Sequence, residues 1–174
     1  MTDPPATHPP MTVVVFDAAD PVVALDRLTP CCASTRWAEA LVAGRPYGDL
    51  AALARGSDDL VRELDAADLQ QALAAHPRIG DRVRGDDTES TWSRQEQSAT
   101  ADLAATVAEQ LVAANLAYES RFGQVFLICA TGKSATQMLS AARTRLENTP
   151  DVEREVVRRE LAAIVRLRLE KVLT

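Results

Sequence analysis

One imidazole and one carboxylate flank a charged, glycine-containing loop in this chain. His76 opens the run His76-Pro77-Arg78-Ile79-Gly80, and Glu96-Gln97 follow beyond the stretch from Asp81 to Asp87. Only two histidines occur, and the other, His8, sits in a Pro-rich tail. Imidazole is the side chain whose ordinary pKa lies nearest neutrality, so His76 is the candidate for proton transfer. Pro77 disfavours helical backbone in the residue before it, which ends a helix at Ala75 or His76. A histidine that merely caps a helix C-terminus fits the same position. The sharp turn set by Pro77 and Gly80 instead favours a side chain presented to a ligand.

Three further groups carry possible chemistry. Ser93-x-x-Glu96 has the form of a capping box. Ser93, Glu96 and Gln97 also share one face of a first helical turn, where free backbone N–H groups attract an anion. A hydroxyl, a carboxylate and a carboxamide together suit a ligand rich in urea-type N–H and C=O groups. Arg168 falls on the face of Ile164 in a terminal helix, and a guanidinium on an apolar stripe needs an anion or carbonyls as partner. Asn115, Tyr118, Arg121, Phe122 and Gly123 read as the end of a helix. The run 124–130 that follows is a lone extended segment whose N–H groups lack a strand partner and are open to a ligand. Cys31-Cys32, near Trp37, reads as packing, since no base stands close in sequence to activate a thiol.

These groups must be positioned by helices. The chain has 174 residues, 47% of them hydrophobic but only 4% aromatic, and Ala, Leu and Val dominate. The pattern predicts an all-α single-domain bundle of seven or eight helices with one short extended segment. Residues 1–12 read as a disordered Pro-rich leader and 13–174 as the helical domain. Val22, Val23, Leu25 and Leu28 predict a first helix. A second starts with Pro30 in its first turn and stops at Gly44. A third covers 47–55, a fourth is capped by Ser57-Asp58-Asp59, and a fifth runs to Ala75. Long helices follow over 93–120, 134–147 and 151–172, the last burying Val156, Leu161, Ile164, Leu167 and Val172.

Composition also excludes classes. A net charge of −6 argues against a nucleic-acid surface. No apolar run spans a bilayer, and the N-terminus lacks a signal-peptide pattern. The three cysteines, two of them adjacent, have neither disulfide-framework nor zinc spacing. A reduced, cytoplasmic protein without metal is the expectation.

Six motifs occur together and in order: HPRIG (76–80), SxxEQ (93–97), NxxYxxRFG (115–123), FLICA (126–130), RLxN (145–148) and IxxxRL (164–169). The set resembles the 2-oxo-4-hydroxy-4-carboxy-5-ureidoimidazoline (OHCU) decarboxylase family of urate breakdown, from about residue 14 to the end. CCxSxxW (31–37) and Arg45-Pro46-Tyr47 fit as well. Gln124-Val125 departs from the apolar-Pro pair usual before Phe126. The resemblance implies an all-α homodimer that needs no cofactor and forms (S)-allantoin. It implies His76 as the catalytic acid/base and Glu96 as its carboxylate partner. Pro77, Ser93 and Gln97 would contact a small ureido-imidazoline substrate. Arg168 would bind its oxygens, and the backbone of Phe126, Leu127, Ile128, Cys129 and Ala130 would hold the ring. Two rival readings are a non-enzymatic helical interaction module, in which SxxEQ is only a cap, and a cysteine hydrolase pairing Cys129 with His76.

Overall fold

The computed structural model describes residues 11–76 and 94–174, without the side chains of 94–105. Among these residues run eight helices: α1 (Val13–Ala18), α2 (Pro21–Leu28), α3 (Thr35–Ala43), α4 (Leu50–Arg62), α5 (Ala66–Ala74), α6 (Arg94–Phe122), α7 (Ala135–Arg145) and α8 (Pro150–Val172). No strand occurs among them; extended backbone pairs only in an isolated parallel bridge between Met11 and Leu173. Residues 125–130 are non-helical, with Phe126, Leu127 and Ile128 buried, as the lone extended segment predicts. The described residues form two compact units, one from the chain up to Ala75 together with Arg158–Thr174, the other within His76–Val157.

In the first unit the core is Phe16, Leu28, Trp37, Leu41, Leu53, Val61, Leu161, Leu169 and Leu173, all fully buried. Short helices start where a side chain accepts a free N–H: Thr12 for α1, Asp20 for α2, Ser34 for α3, Asp49 for α4 and Asp65 for α5. The second helix therefore starts at Thr35 and not at Pro30. Buried Ser34 accepts the Trp37 N–H at 3.2 Å, while Cys31 and Cys32 turn back to the Leu28 carbonyl. The expected third and fourth helices are one, α4. Ser57 is no cap; it is buried mid-helix, where its Oγ accepts the Trp37 indole N–H at 3.1 Å. Gly56 is no break either: a Cβ there would lie 2.9 Å from Cε1 of Tyr47. The first helix, α1, was not anticipated, because a run of valines favours strand on propensity.

Arg45-Pro46-Tyr47 is a clasp. The Arg45 guanidinium donates to the carbonyls of Val42, Phe16 and Ala19, each at 2.8 Å, satisfying two helix ends. The Asp17 carboxylate accepts the N–H groups of Tyr47 and Gly48, and the Tyr47 hydroxyl donates to the Leu41 carbonyl at 2.9 Å. In the C-terminal part of α8 the buried row is Leu161, Val165 and Leu169, with Leu173 just beyond. Ile164, Leu167 and Val172 are only half-buried, as is Val156 in the other unit. The i, i+4 ladder wins because it is one continuous ridge, whereas the anticipated set mixes two faces. Val22 and Val23 likewise turn outward, 73% and 51% exposed, while Ala24 and Leu28 pack inward.

In the second unit α6 and α7 close over Leu111, Ala114, Tyr118, Phe126, Ile128, Leu139 and Ala142. Ser134 and Gln137 form the capping box that starts α7. A buried charge cluster lies against this core. Arg145 donates through Nε at 2.8 Å and Nη2 at 2.5 Å to Oε1 of Glu153, and through Nη1 at 2.6 Å to the Leu127 carbonyl. The Tyr118 hydroxyl donates to the same carboxylate, and Asn148 Nδ2 donates to its other oxygen at 2.8 Å. Motifs that lie far apart in sequence (115–123, 126–130, 145–148) thus meet at one guanidinium.

Two measurements check these roles. Ser57→Ala strands the buried Trp37 N–H and is expected to cost about 1–3 kcal/mol in urea unfolding; an unchanged midpoint would refute the bond's contribution. Burial, and then the bond to Glu153, pushes the Tyr118 hydroxyl up from 10.0 to about 12. The folded state holds this proton the tighter, so its contribution to stability is whole below pH 10 and fades as pH rises toward about 12. Only two tyrosines are present. In a tyrosinate absorbance titration, Tyr118→Phe should delete the step near 12; loss of a step at the ordinary tyrosine value instead would contradict this environment.

Candidate functional site

His76 and the pair Glu96-Gln97 fall at helix ends. His76 is half-buried and directly follows Ala75, the C-cap of α5. Helix α5 is held by the Asp65 cap, whose carboxylate accepts the N–H groups of Ala67 and Asp68 and is thereby kept below its usual pKa. Pro77 and Ser93 lie outside the described residues. Glu96 and Gln97 belong to the first turn of α6, with side chains outside the description. The implied meeting of His76 with Glu96 is therefore a matter for proposal.

Arg168 is described in full. It is half-buried, and its Nη1 donates to the Cys31 carbonyl at 3.1 Å. Arg168 also lines an open cleft of about 430 Å³ shared with Thr29, Pro30, Ala33, Ala75, Lys171 and Val172. Arg166, two residues away on another face, is instead held in an ion pair with Asp58. The two arginines of the terminal motif therefore divide: Arg166 braces α4, and Arg168 holds the Cys31 carbonyl at the edge of the cleft. Lys171 went unremarked in the sequence, because a lysine in a last helical turn ordinarily answers the helix dipole. Its spacing of three from Arg168 was the signal that both cations share a face.

The segment Phe126–Ala130 offers backbone more than side chains. Phe126, Leu127 and Ile128 are buried, Cys129 is half-buried and Ala130 is exposed. Among the described residues none of the N–H groups of Phe126, Leu127 and Ile128 pairs with another main-chain carbonyl. On the acceptor side the segment is well used: Leu127 accepts from Arg145, Cys129 from the Lys133 ammonium at 2.8 Å, and Ala130 from the Lys133 N–H at 3.0 Å. Bonds to these carbonyls hold the main chain of the segment in place as a platform.

The adjacent thiols contribute no nucleophile. Burial pushes Cys31 up to about 12, against a small opposing pull from Arg168, and raises Cys32 as well. No group of three His, Cys, Asp or Glu side chains that could hold a metal gathers among the described residues. None of the described helices is long and apolar enough to cross a membrane.

Known proteins resemble this arrangement along nearly its whole length. The family model for OHCU decarboxylase matches residues 17–170. The 2-oxo-4-hydroxy-4-carboxy-5-ureidoimidazoline decarboxylase of Amia calva is 29% identical over 138 residues, which cover 78% of this chain and 79% of that protein. The uric acid degradation bifunctional protein TTL of Arabidopsis thaliana is 31% identical over 150 residues, 84% of this chain but only 46% of that longer protein. Among solved structures, one of OHCU decarboxylase in the presence of (S)-allantoin superposes with a TM-score of 0.65 at 30% identity, covering 82% of this chain and 94% of the other. One of (S)-allantoin synthase, at 20% identity and a TM-score of 0.70, shares the fold over 95% of this chain and 54% of its own. With the family model spanning His76, Glu96, Arg168 and the platform alike, the chain belongs to the OHCU decarboxylase family.

Proposed function

We propose that this enzyme decarboxylates OHCU to (S)-allantoin by cofactor-independent acid–base catalysis, with His76 as the proton carrier and Glu96 as its carboxylate partner. The substrate bears a hydroxyl and a carboxylate on one ring carbon beside a C=N carbon. When CO2 leaves, the electron pair passes to the adjacent imine, so the electron sink lies within the substrate. The protein's work is to take the hydroxyl proton, steady the developing charge and deliver a proton to one face of the neighbouring carbon. His76 suits the proton transfers, and Glu96 orients the imidazole. Pro77, Ser93 and Gln97 contact the substrate. Arg168 binds its polar oxygens, and the platform's backbone holds the ring.

The observation that carries this reading is that the stretch matching the family, 17–170, contains every one of these residues. That Arg168 lines a cleft supports its part. The enzyme is further proposed to be a cytoplasmic homodimer. The outward-facing valines of α1 and α2, Val14 at 67%, Val15 at 53%, Val22 and Val23, supply apolar surface for self-association. A helical interaction module would not need an arginine lining a cleft.

Generating OHCU freshly from urate and following the optical activity of the allantoin formed tests the function: one enantiomer supports it, a racemate overturns it. His76→Asn should fold normally and lose about 10²–10⁴ in rate; near-wild-type turnover would remove His76 from the mechanism. Thiol chemistry gives an independent check. In the folded protein only half-buried Cys129 should react with an aromatic disulfide at neutral pH, with buried Cys31 and Cys32 following on unfolding. Cys129→Ala, which removes the thiol without crowding the segment, should stay active, and loss of activity in that folded variant would favour the cysteine-hydrolase alternative.

A further inference from the structure

We infer that Arg145 is a positioning residue for the decarboxylation, acting through the Leu127 carbonyl to set the backbone of Phe126–Ala130 against the substrate. The inference rests on the proposed seating of the substrate on that segment. Three observations carry it. The guanidinium is buried, yet one of its arms reaches out of the charge pair to Leu127 at 2.6 Å. Its plane also covers the Phe126 ring, with Cζ 4.7 Å from the ring centroid, so it grips two consecutive residues of the segment by different means. Its own orientation is fixed: Glu153 takes Nε and Nη2 side-on, and Glu153 is in turn held by Tyr118 and Asn148. A segment without strand neighbours has no ladder to fix its register. A five-donor planar cation locked on the far side serves in place of the ladder. The Leu127 carbonyl belongs to the peptide unit whose N–H is that of Ile128, so holding one end of this planar unit aims the other.

The test compares OHCU kinetics in Arg145→Lys and Ala130→Leu at a temperature where circular dichroism shows both folded. Arg145→Lys keeps the charge but loses the fork. It is expected to raise KM about tenfold while kcat stays within about threefold, as for an interaction that seats the substrate. A merely structural arginine would lower the melting temperature and leave KM alone, and that result overturns the inference. Ala130→Leu crowds the same segment without altering the guanidinium. KM raised by Ala130→Leu but unmoved by Arg145→Lys refutes positioning while leaving the proposed seat intact. KM unmoved by both refutes the seat, and the inference with it. Should Arg145→Lys not fold, Glu153→Gln keeps the shape and weakens the alignment. A KM rise of about threefold there supports the inference, and an unchanged KM overturns it.

Discussion

The second unit depends on one buried pair of charges. Arg145 and Glu153 are both almost wholly out of water, with side-chain exposures of 7% and 1%. Removing two ions from water is costly, and their mutual attraction offsets that cost only when geometry is good and the remaining donors and lone pairs are satisfied. Here Nε and Nη2 go to one carboxylate oxygen, Asn148 takes the other, and Nη1 goes to Leu127. Such a pair is poor evidence for stability in itself, since an apolar replacement can do as well. Its particular property is direction. A guanidinium donates along fixed lines in one plane, so anything bonded to it is placed as well as held. Tyr118 from α6, Leu127 from the extended segment, Arg145 from α7 and Glu153 from α8 are bound into one arrangement that apolar packing alone would leave free to slip.

The first unit solves a related problem with the same chemistry at lower cost. Its helices are short, and each short helix leaves as many unpaired N–H and C=O groups as a long one. The N-termini are met by side-chain oxygens one at a time. Two of the C-termini are met together by Arg45, whose guanidinium takes carbonyls from the ends of α1 and α3. Asp17 answers in the opposite sense by accepting the N–H groups of Tyr47 and Gly48. Arg158 does likewise at the end of α4, donating to the Leu64 carbonyl at 2.7 Å. An arginine that collects carbonyls is the recurring device of this chain, and Arg168 on the Cys31 carbonyl continues it.

How much of this could be read in the sequence follows from what kind of signal each feature leaves. The long helices were legible: α6, α7 and α8 fall within a residue or two of their predicted bounds, and α5 ends one residue before the predicted Ala75. The fault around Gly56-Ser57 has a different origin. Both residues carry strong local meaning, a break and a cap, but here each serves a neighbour distant in sequence: Gly56 makes room for the Tyr47 ring, and Ser57 receives the Trp37 indole. Local rules cannot register a partner twenty residues away. The same limit hid Arg145. The RLxN motif was visible, but that its arginine is buried against Glu153 and Leu127 depends on the fold. For the candidate site, the residue types and their places at helix ends were legible, and so was Arg168 as the arginine needing a partner. The separation of Arg168 from Arg166 followed only once Asp58 was seen to take the latter.

The chemistry explains why so much of the family's signature turns out to be scaffold. A substrate that carries its own electron sink asks little of an enzyme beyond a proton at the right place and a fixed orientation. Orientation is a demand on backbone geometry, and backbone geometry is enforced by residues that never touch the substrate. Tyr118, Arg145 and Asn148 would be passed over in a search for nucleophiles or acids, yet through Glu153 and the Leu127 carbonyl they tie the Phe126–Ala130 segment to its helices. Trp37, Arg45 and Tyr47 have the corresponding part in the first unit, where they tie α1, α3 and α4 together. Motif residues that are buried and mutually bonded are what a reaction governed by placement should require.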